Sequence, residues 1–323
     1  MNSIEQNAKI INRYLVSKLK GNPHELYSAA SYLIVSGGKR LRPYMVMKSC
    51  EMLGGKTKNA INAASAIEMV HNFTLVHDDI MDNDEMRHGV TTVHKKFGMP
   101  IAILAGDVLF SKAYQVVSST SLPSNSVIEL VSRLAKSCVD VCEGQLLDIS
   151  MANSEKIPSQ SQYIKMIEKK TAALFEVSCA MGAICANAKR KDVSNLSSFG
   201  KNLGIAFQIT DDLIGVLGDP KITKKPVGND LREGKKSLPI LLAINRAKGE
   251  NKEIILKTFS NSFATQDDIE KALKIIRRLK IEKTVRRQAQ SYAQRAKRSL
   301  QSYSGSAKKD LLVLLSFVVK RSL

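Results

Sequence analysis

Tryptophan is absent and aromatic residues make up only 5% of the chain, which leaves no repeated stacking platform for single-stranded nucleic acid. Strand signals are also scarce. No stretch sustains period-two alternation between turn residues, so a sheet-based fold is excluded. The five cysteines, Cys50, Cys138, Cys142, Cys179 and Cys185, are an odd number in apolar, helix-like surroundings. They form no disulfide framework and read as core thiols in a reducing compartment. The start, MNSIEQNAKIINRYL, has no signal-peptide core. The apolar run LLVLLSFVV at 311–319 is too short to span a bilayer. A soluble cytoplasmic protein is expected. Long flexible linkers and short repeats are missing too, so residues 1–323 are expected to form one domain.

Positive charge is abundant. The net charge of +19 suits nucleic acid, an anionic membrane or a phosphorylated substrate. Between Lys271 and Arg298 there are eleven Lys or Arg residues and one acid, Glu282, with Tyr292 as the sole aromatic. A solvated helix face explains most such runs, and attraction to an anionic membrane surface or to an anionic substrate is the alternative; nucleic acid is not expected.

Helical periodicity dominates. Pro43 in RLRPYMVMKSCEML opens a helix that Gly54 and Gly55 end. Residues 59–83 read as one long helix, apolar on much of its surface and therefore a core element. Further helices are expected at 101–119, 125–151, 161–188, 193–217, 236–248, 266–301 and 307–321, with turns at 120–126, 153–160 and 219–235. The fold class is all-α.

Two acidic helix ends stand out. Asp78 and Asp82 share a face at the end of the long apolar helix, with Asp79 between them and Asp84 and Glu85 following. Like charges at this spacing, at the negative end of a helix dipole, destabilise the helix unless cations compensate, and hard divalent ions suit carboxylate oxygens. Asp211 and Asp212 repeat the arrangement after the apolar segment 203–209. One such end is explained by solvation; two in one chain favour metal. Asp267 and Asp268 follow Thr265 in a first helical turn, where the dipole favours acids, and need no metal. Bases accompany the acids: Lys39, Arg40 and Arg42 after Gly37-Gly38, Arg87 and His88 after the first cluster, and Lys170 on an apolar helix. Lys224, Lys225, Lys235 and Lys236 flank the loop after the second pair. Gly-Gly alone is usually just a turn. Acids for divalent ions beside bases for anions, on apolar helices, are what a diphosphate with a hydrocarbon tail requires.

The chain resembles the trans-isoprenyl diphosphate synthases. It carries GGKRLRP, HDDIMDNDEMRHG, EGQLLDI, KT, FQITDDLIGVLGD and KPVGNDLREGKKSLP in the family's order, over about residues 30–245. The resemblance implies a bundle of about ten or more helices around a hydrocarbon cavity, a homodimer, and about three magnesium ions per site, with manganese as a substitute. Asp78, Asp79, Asp82, Lys170, Asp211 and Asp212 would be catalytic, and Asp78, Asp82 and Asp211 the metal ligands. Gln145 and Asp148 would lie nearby. Lys39, Arg42 and His71 would bind isopentenyl diphosphate. Arg87, His88, Lys170, Thr171, Gln208, Lys225 and Lys235 would bind the allylic diphosphate. Phe73 and Thr74, five and four residues before Asp78, would set product length. An aromatic followed by a small residue resembles synthases that stop at C20, geranylgeranyl diphosphate, rather than at C15 or at longer products. Phe73 lies about 140° round the helix from Asp78, so it must close the channel from its flank with help from residues on another helix, of this chain or of a partner subunit. A class I terpene cyclase would share the fold and first motif but not GGKRLRP or DDLIG. Two positions depart from the family: Arg87-His88-Gly89 where Arg-Arg-Gly is common, and Gly215 where many relatives have a third Asp.

Overall fold

The computed structural model describes residues 2–218, 228–261 and 263–320. They are helical almost throughout. The helices are α1 (Asn2–Lys18), α2 (His24–Val35), α3 (Leu41–Met52), α4 (Thr57–Met81), α5 (Val93–Phe97), α6 (Met99–Ser118), α7 (Ser124–Asn153), α8 (Gln160–Ile167), α9 (Ala173–Cys185) and α10 (Arg190–Leu217). Then come α11 (Asn229–Arg232), α12 (Leu238–Arg246), α13 (Glu250–Thr258), α14 (Gln266–Arg278), α15 (Ile281–Ser299) and α16 (Ser306–Val319). Two-residue strands Met86–Arg87 and Val90–Thr91 pair antiparallel after α4. The chain divides into two compact units. One takes Met1–Cys138, Leu174–Ser197 and Ser302–Leu311; the other takes Val139–Ala173, Ser198–Gln301 and Leu312–Leu323.

In the first unit, α4 is the core helix its sequence demands. Residues 63–70 are buried without a break, and Ala63, Ala64 and Ala66 let neighbouring helices approach closely. It packs mainly on α6 and α3. A Cβ on Gly106 of α6 would come within 2.3 Å of His77 Nε2, so this crossing needs glycine.

In the second unit the core gathers Tyr163, Ile209, Leu213, Val216, Leu241, Ile269, Leu273, Ile276, Ile281 and Val285. Thr265 and Asp268 form a capping box at the start of α14, which accounts for the Asp267-Asp268 pair without metal. Two expected helices are broken. Residues 266–301 divide into α14 and α15, with Lys280 in the left-handed region at φ 54°. The apolar stripe shows why: it runs 269, 272, 273, 276 and then 281, 285, 289, and a five-residue step turns the stripe about 140° off its face. Residues 161–188 are interrupted by a π-helical turn at Glu168–Ala172.

Candidate active site

The first acidic cluster closes α4. Asp82 caps it, its N–H donating to Asp78 O at 2.8 Å. Asp78 is half-buried, Asp82 exposed and Asp79 buried. Burial raises the Asp79 pKa, with Arg87 pulling it the other way. Arg87 Nε donates to Asp79 Oδ1, and its Nη2 lies 3.4 Å from Asp84. Asp79 Oδ2 is buried and has no hydrogen-bond donor. The hairpin delivers Arg87 there through a two-residue turn, His88-Gly89, in which both residues have positive φ. Such a turn matches the twist of the strands. Partial burial, then Arg87 and Arg40, hold the His88 pKa below its ordinary value.

Seven residues before Asp78, His71 meets Arg42. Arg42 Nη1 donates to His71 Nε2 at 3.1 Å, and its guanidinium lies 4.5 Å over the Phe175 ring. Because Arg can only donate, His71 is neutral with its proton on Nδ1. Burial, then Arg42 and Arg40, keep its pKa well below the histidine range. Burial also lowers the Arg42 pKa to about 10, against the pull of Glu68. Arg40, which sequence reasoning left unassigned, is the buried anchor of this segment. It donates to Asn12 at 2.7 Å, to Glu68 at 2.8 Å and to Ile34 O, while its backbone is left-handed at φ 51°. Lys39 is exposed beside it.

Phe73 stacks edge-on with His77 (4.7 Å between centroids) and tilts against Phe110 of α6 at 5.2 Å; Phe110 in turn meets Tyr114 at 5.0 Å. Within the chain, the helix that packs against Phe73 is α6. Thr74 spends its hydroxyl on His71 O at 2.8 Å.

The second unit holds the other acidic pair. Asp212 is buried, and Asp211, next to it on α10, is exposed. Tyr163 donates to Asp212 Oδ2 at 2.7 Å, Gln208 to Oδ1 at 2.8 Å, and Thr171 to Gln208 at 2.8 Å. Burial raises the Asp212 pKa to about 6, while Lys235, Tyr163 and Gln208 oppose the rise. Desolvation tends to lower the Lys235 pKa, but Asp212, Asp230, Asp211 and Asp148 outweigh it and hold the ammonium above its ordinary value. Lys170 reaches Asp148 at 2.5 Å from the π-helical turn. That turn lies so close to α7 that a Cβ on Gly144 would come within 2.2 Å of Lys170 N. Gln145, on the next position of α7, is buried with Oε1 unpartnered. Lys225 lies outside the described residues.

Gly215 has a structural reason. A Cβ there would come within 2.3 Å of Asp230 Oδ2, so glycine leaves room for the Asp230 carboxylate of α11 beside α10. Asp230 and Tyr163 were missed in the sequence. Asp230 stands within KPVGNDLREGKKSLP and was open to assignment; Tyr163 looks like any core aromatic until its hydroxyl is placed.

Magnesium takes oxygen donors and is commonly held by one or two carboxylates together with substrate phosphates. Among the described residues no three acid, imidazole or thiol groups converge as a closed cage. Within each unit, carboxylates at a helix end suit an ion that also takes phosphate oxygens, and in the first unit Asp79 Oδ2 is buried without a donor.

Residues 23–276 match the polyprenyl synthetase family. The geranylgeranyl diphosphate synthase of Sulfolobus acidocaldarius is 40% identical over 316 residues, 96% of this chain and 95% of that one. The crystal structure of geranylgeranyl pyrophosphate synthetase from Pyrococcus horikoshii superposes with a TM-score of 0.93 at 37% identity, over 99% of this chain and 97% of that one. A polyprenyl synthase from Caulobacter crescentus, crystallised with calcium and isoprenyl diphosphate, gives a TM-score of 0.89 at 29% identity, over 99% and 96%. With the aspartate-ended helices and their cations in place, the family match over most of the chain leads to one conclusion: the protein belongs to the polyprenyl synthetase family.

Proposed function

We propose that the protein condenses isopentenyl diphosphate with allylic diphosphates (dimethylallyl, geranyl, farnesyl) and releases mainly geranylgeranyl diphosphate. One observation carries the reading. Each aspartate-ended helix buries a carboxylate, Asp79 or Asp212, whose pKa burial raises, and sets a cation beside it, Arg87 or Lys235. Asp78, Asp82 and Asp211 would hold magnesium, about three ions per site, and Asp79 and Asp212 would support them. Manganese would substitute, and the calcium in the Caulobacter relative supports a hard divalent ion. When bound, the metal neutralises charge on the leaving diphosphate.

The remaining work falls to the chain. Arg87, Lys170, Lys225 and Lys235 stabilise negative charge as the allylic C–O bond ionises, while His88, Gln145, Thr171 and Gln208 orient the diphosphate. Lys39, Arg42 and neutral His71 hold isopentenyl diphosphate, whose double bond attacks the cation. The departed diphosphate takes the proton. Apolar surroundings exclude water that would quench the cation. The protein is proposed to act as a homodimer in the cytoplasm, with weak membrane-surface contact.

Incubation with isopentenyl diphosphate, magnesium and each allylic starter, with product lengths resolved, should give C20 diphosphate from all three. Chelation of the metal should abolish turnover. Full activity in excess EDTA, or an olefin formed without use of isopentenyl diphosphate, would refute the assignment.

A further inference from the structure

The basic segment 271–298 plays no part in this chemistry, and the second unit shows where part of it points. A groove of about 780 Å³ runs between α15 and the end of α16. Arg286, Arg287, Lys297 and Lys320 line it over a floor that includes Leu312, Leu315 and Val319, and no acid among the described residues lines it. Arg286 is partly neutralised by Glu282 at 2.8 Å. Arg287, Lys297 and Lys320 have no ion pair among the described residues.

Four cations above an apolar floor match an amphiphilic anion: phosphate against the rim, hydrocarbon against the floor. No aromatic side chain lines the groove. Tyr292 on the same helix packs against the core and carries Arg295 over its ring at 4.9 Å. A nucleic-acid base therefore finds no stacking partner. The eleven cations of 271–298 add an attractive field that a single bound phosphate would not need but a charged surface would use. We infer that this groove docks the protein on anionic phospholipid membranes, a lipid headgroup entering between Arg287, Lys297 and Lys320. The inference rests on the proposed reaction only for its purpose, the release of a C20 amphiphile beside a membrane.

Flotation of the full chain with phosphatidylcholine vesicles, with and without phosphatidylglycerol, tests it in the absence of substrate. Failure here leaves the proposed reaction untouched, and failure of the prenyl-transfer assay leaves this result standing. The protein should float only with the anionic vesicles, and high salt should release it. Arg287→Gln with Lys320→Gln should lower partitioning about thirtyfold, equivalent to ~1 kcal/mol per cation. Vesicle-free turnover should be unchanged. Lys20→Gln with Lys58→Gln, an equal loss of charge elsewhere, should partition like the parent. Equal losses from both pairs would reduce the effect to bulk charge and overturn the groove. So would absence of flotation, or single-stranded RNA that displaces the vesicles through the same residues.

Discussion

His71 shows how far a single residue's environment can depart from its type. It is a histidine kept neutral by burial and by the cations Arg42 and Arg40, and it accepts a hydrogen bond where a charged ring would repel. The folded-state pKa is depressed, so as pH falls through the ordinary value of 6.5 the unfolded chain takes up a proton that the folded protein refuses. Stability should therefore fall over that window by up to ~1.4 kcal/mol per pH unit from this group. Denaturant midpoints between neutral and mildly acidic pH should show a steeper loss for the parent than for His71→Asn. Parallel pH slopes would mean that His71 titrates normally. The spacing of His71 from Asp78 was legible as a shared helix face, but its neutrality was not, because that depends on Arg42 arriving from α3. Asp212 carries the same lesson, since its partner Tyr163 lies 49 positions away.

Elements were legible where one periodic pattern ran unbroken. The long helix of 59–83 is α4, and its core placement followed from small and apolar residues on all sides. Boundaries failed where a phase change hid inside helix-forming residues. No glycine or proline marks the break before α15, only the slipped apolar stripe from Ile276 to Ile281, so the chain forces Lys280 into a left-handed cap. Glycine suits that position, and Lys280→Gly should stabilise the protein by about 0.5–1 kcal/mol, read as a higher denaturant midpoint. A loss of stability would show that the two helices are continuous. The pairing of α4 with α6 makes a second prediction. Phe73 is backed by Phe110, so a barrier at Phe73 would belong to two helices. Phe73→Ala should shift products beyond C20, and Phe73→Ala with Phe110→Ala further still. If the single variant keeps the parent product length, Phe73 is only core packing.

For the whole molecule, net charge and apolar surface pull in opposite directions. At +19 each copy repels another, so self-association needs an apolar face to offset the repulsion. Helix α7 offers one. Val139 and Leu146 are 57% and 64% exposed and, seven residues apart, lie along one side of the helix. A two-fold axis would set this stripe against itself, burying in the dimer what the single chain leaves in water. Light scattering should accordingly give twice the 35.6 kDa chain mass. Val139→Glu with Leu146→Glu should return the monomer mass, because a self-opposed stripe would bring like charges together. Salt separates the two surfaces. Screening removes repulsion between copies and should tighten the dimer, while it weakens the attraction of the α15 groove for anionic lipid. A parent protein that stays monomeric, or a double variant that stays dimeric, would rule out α7 as the contact.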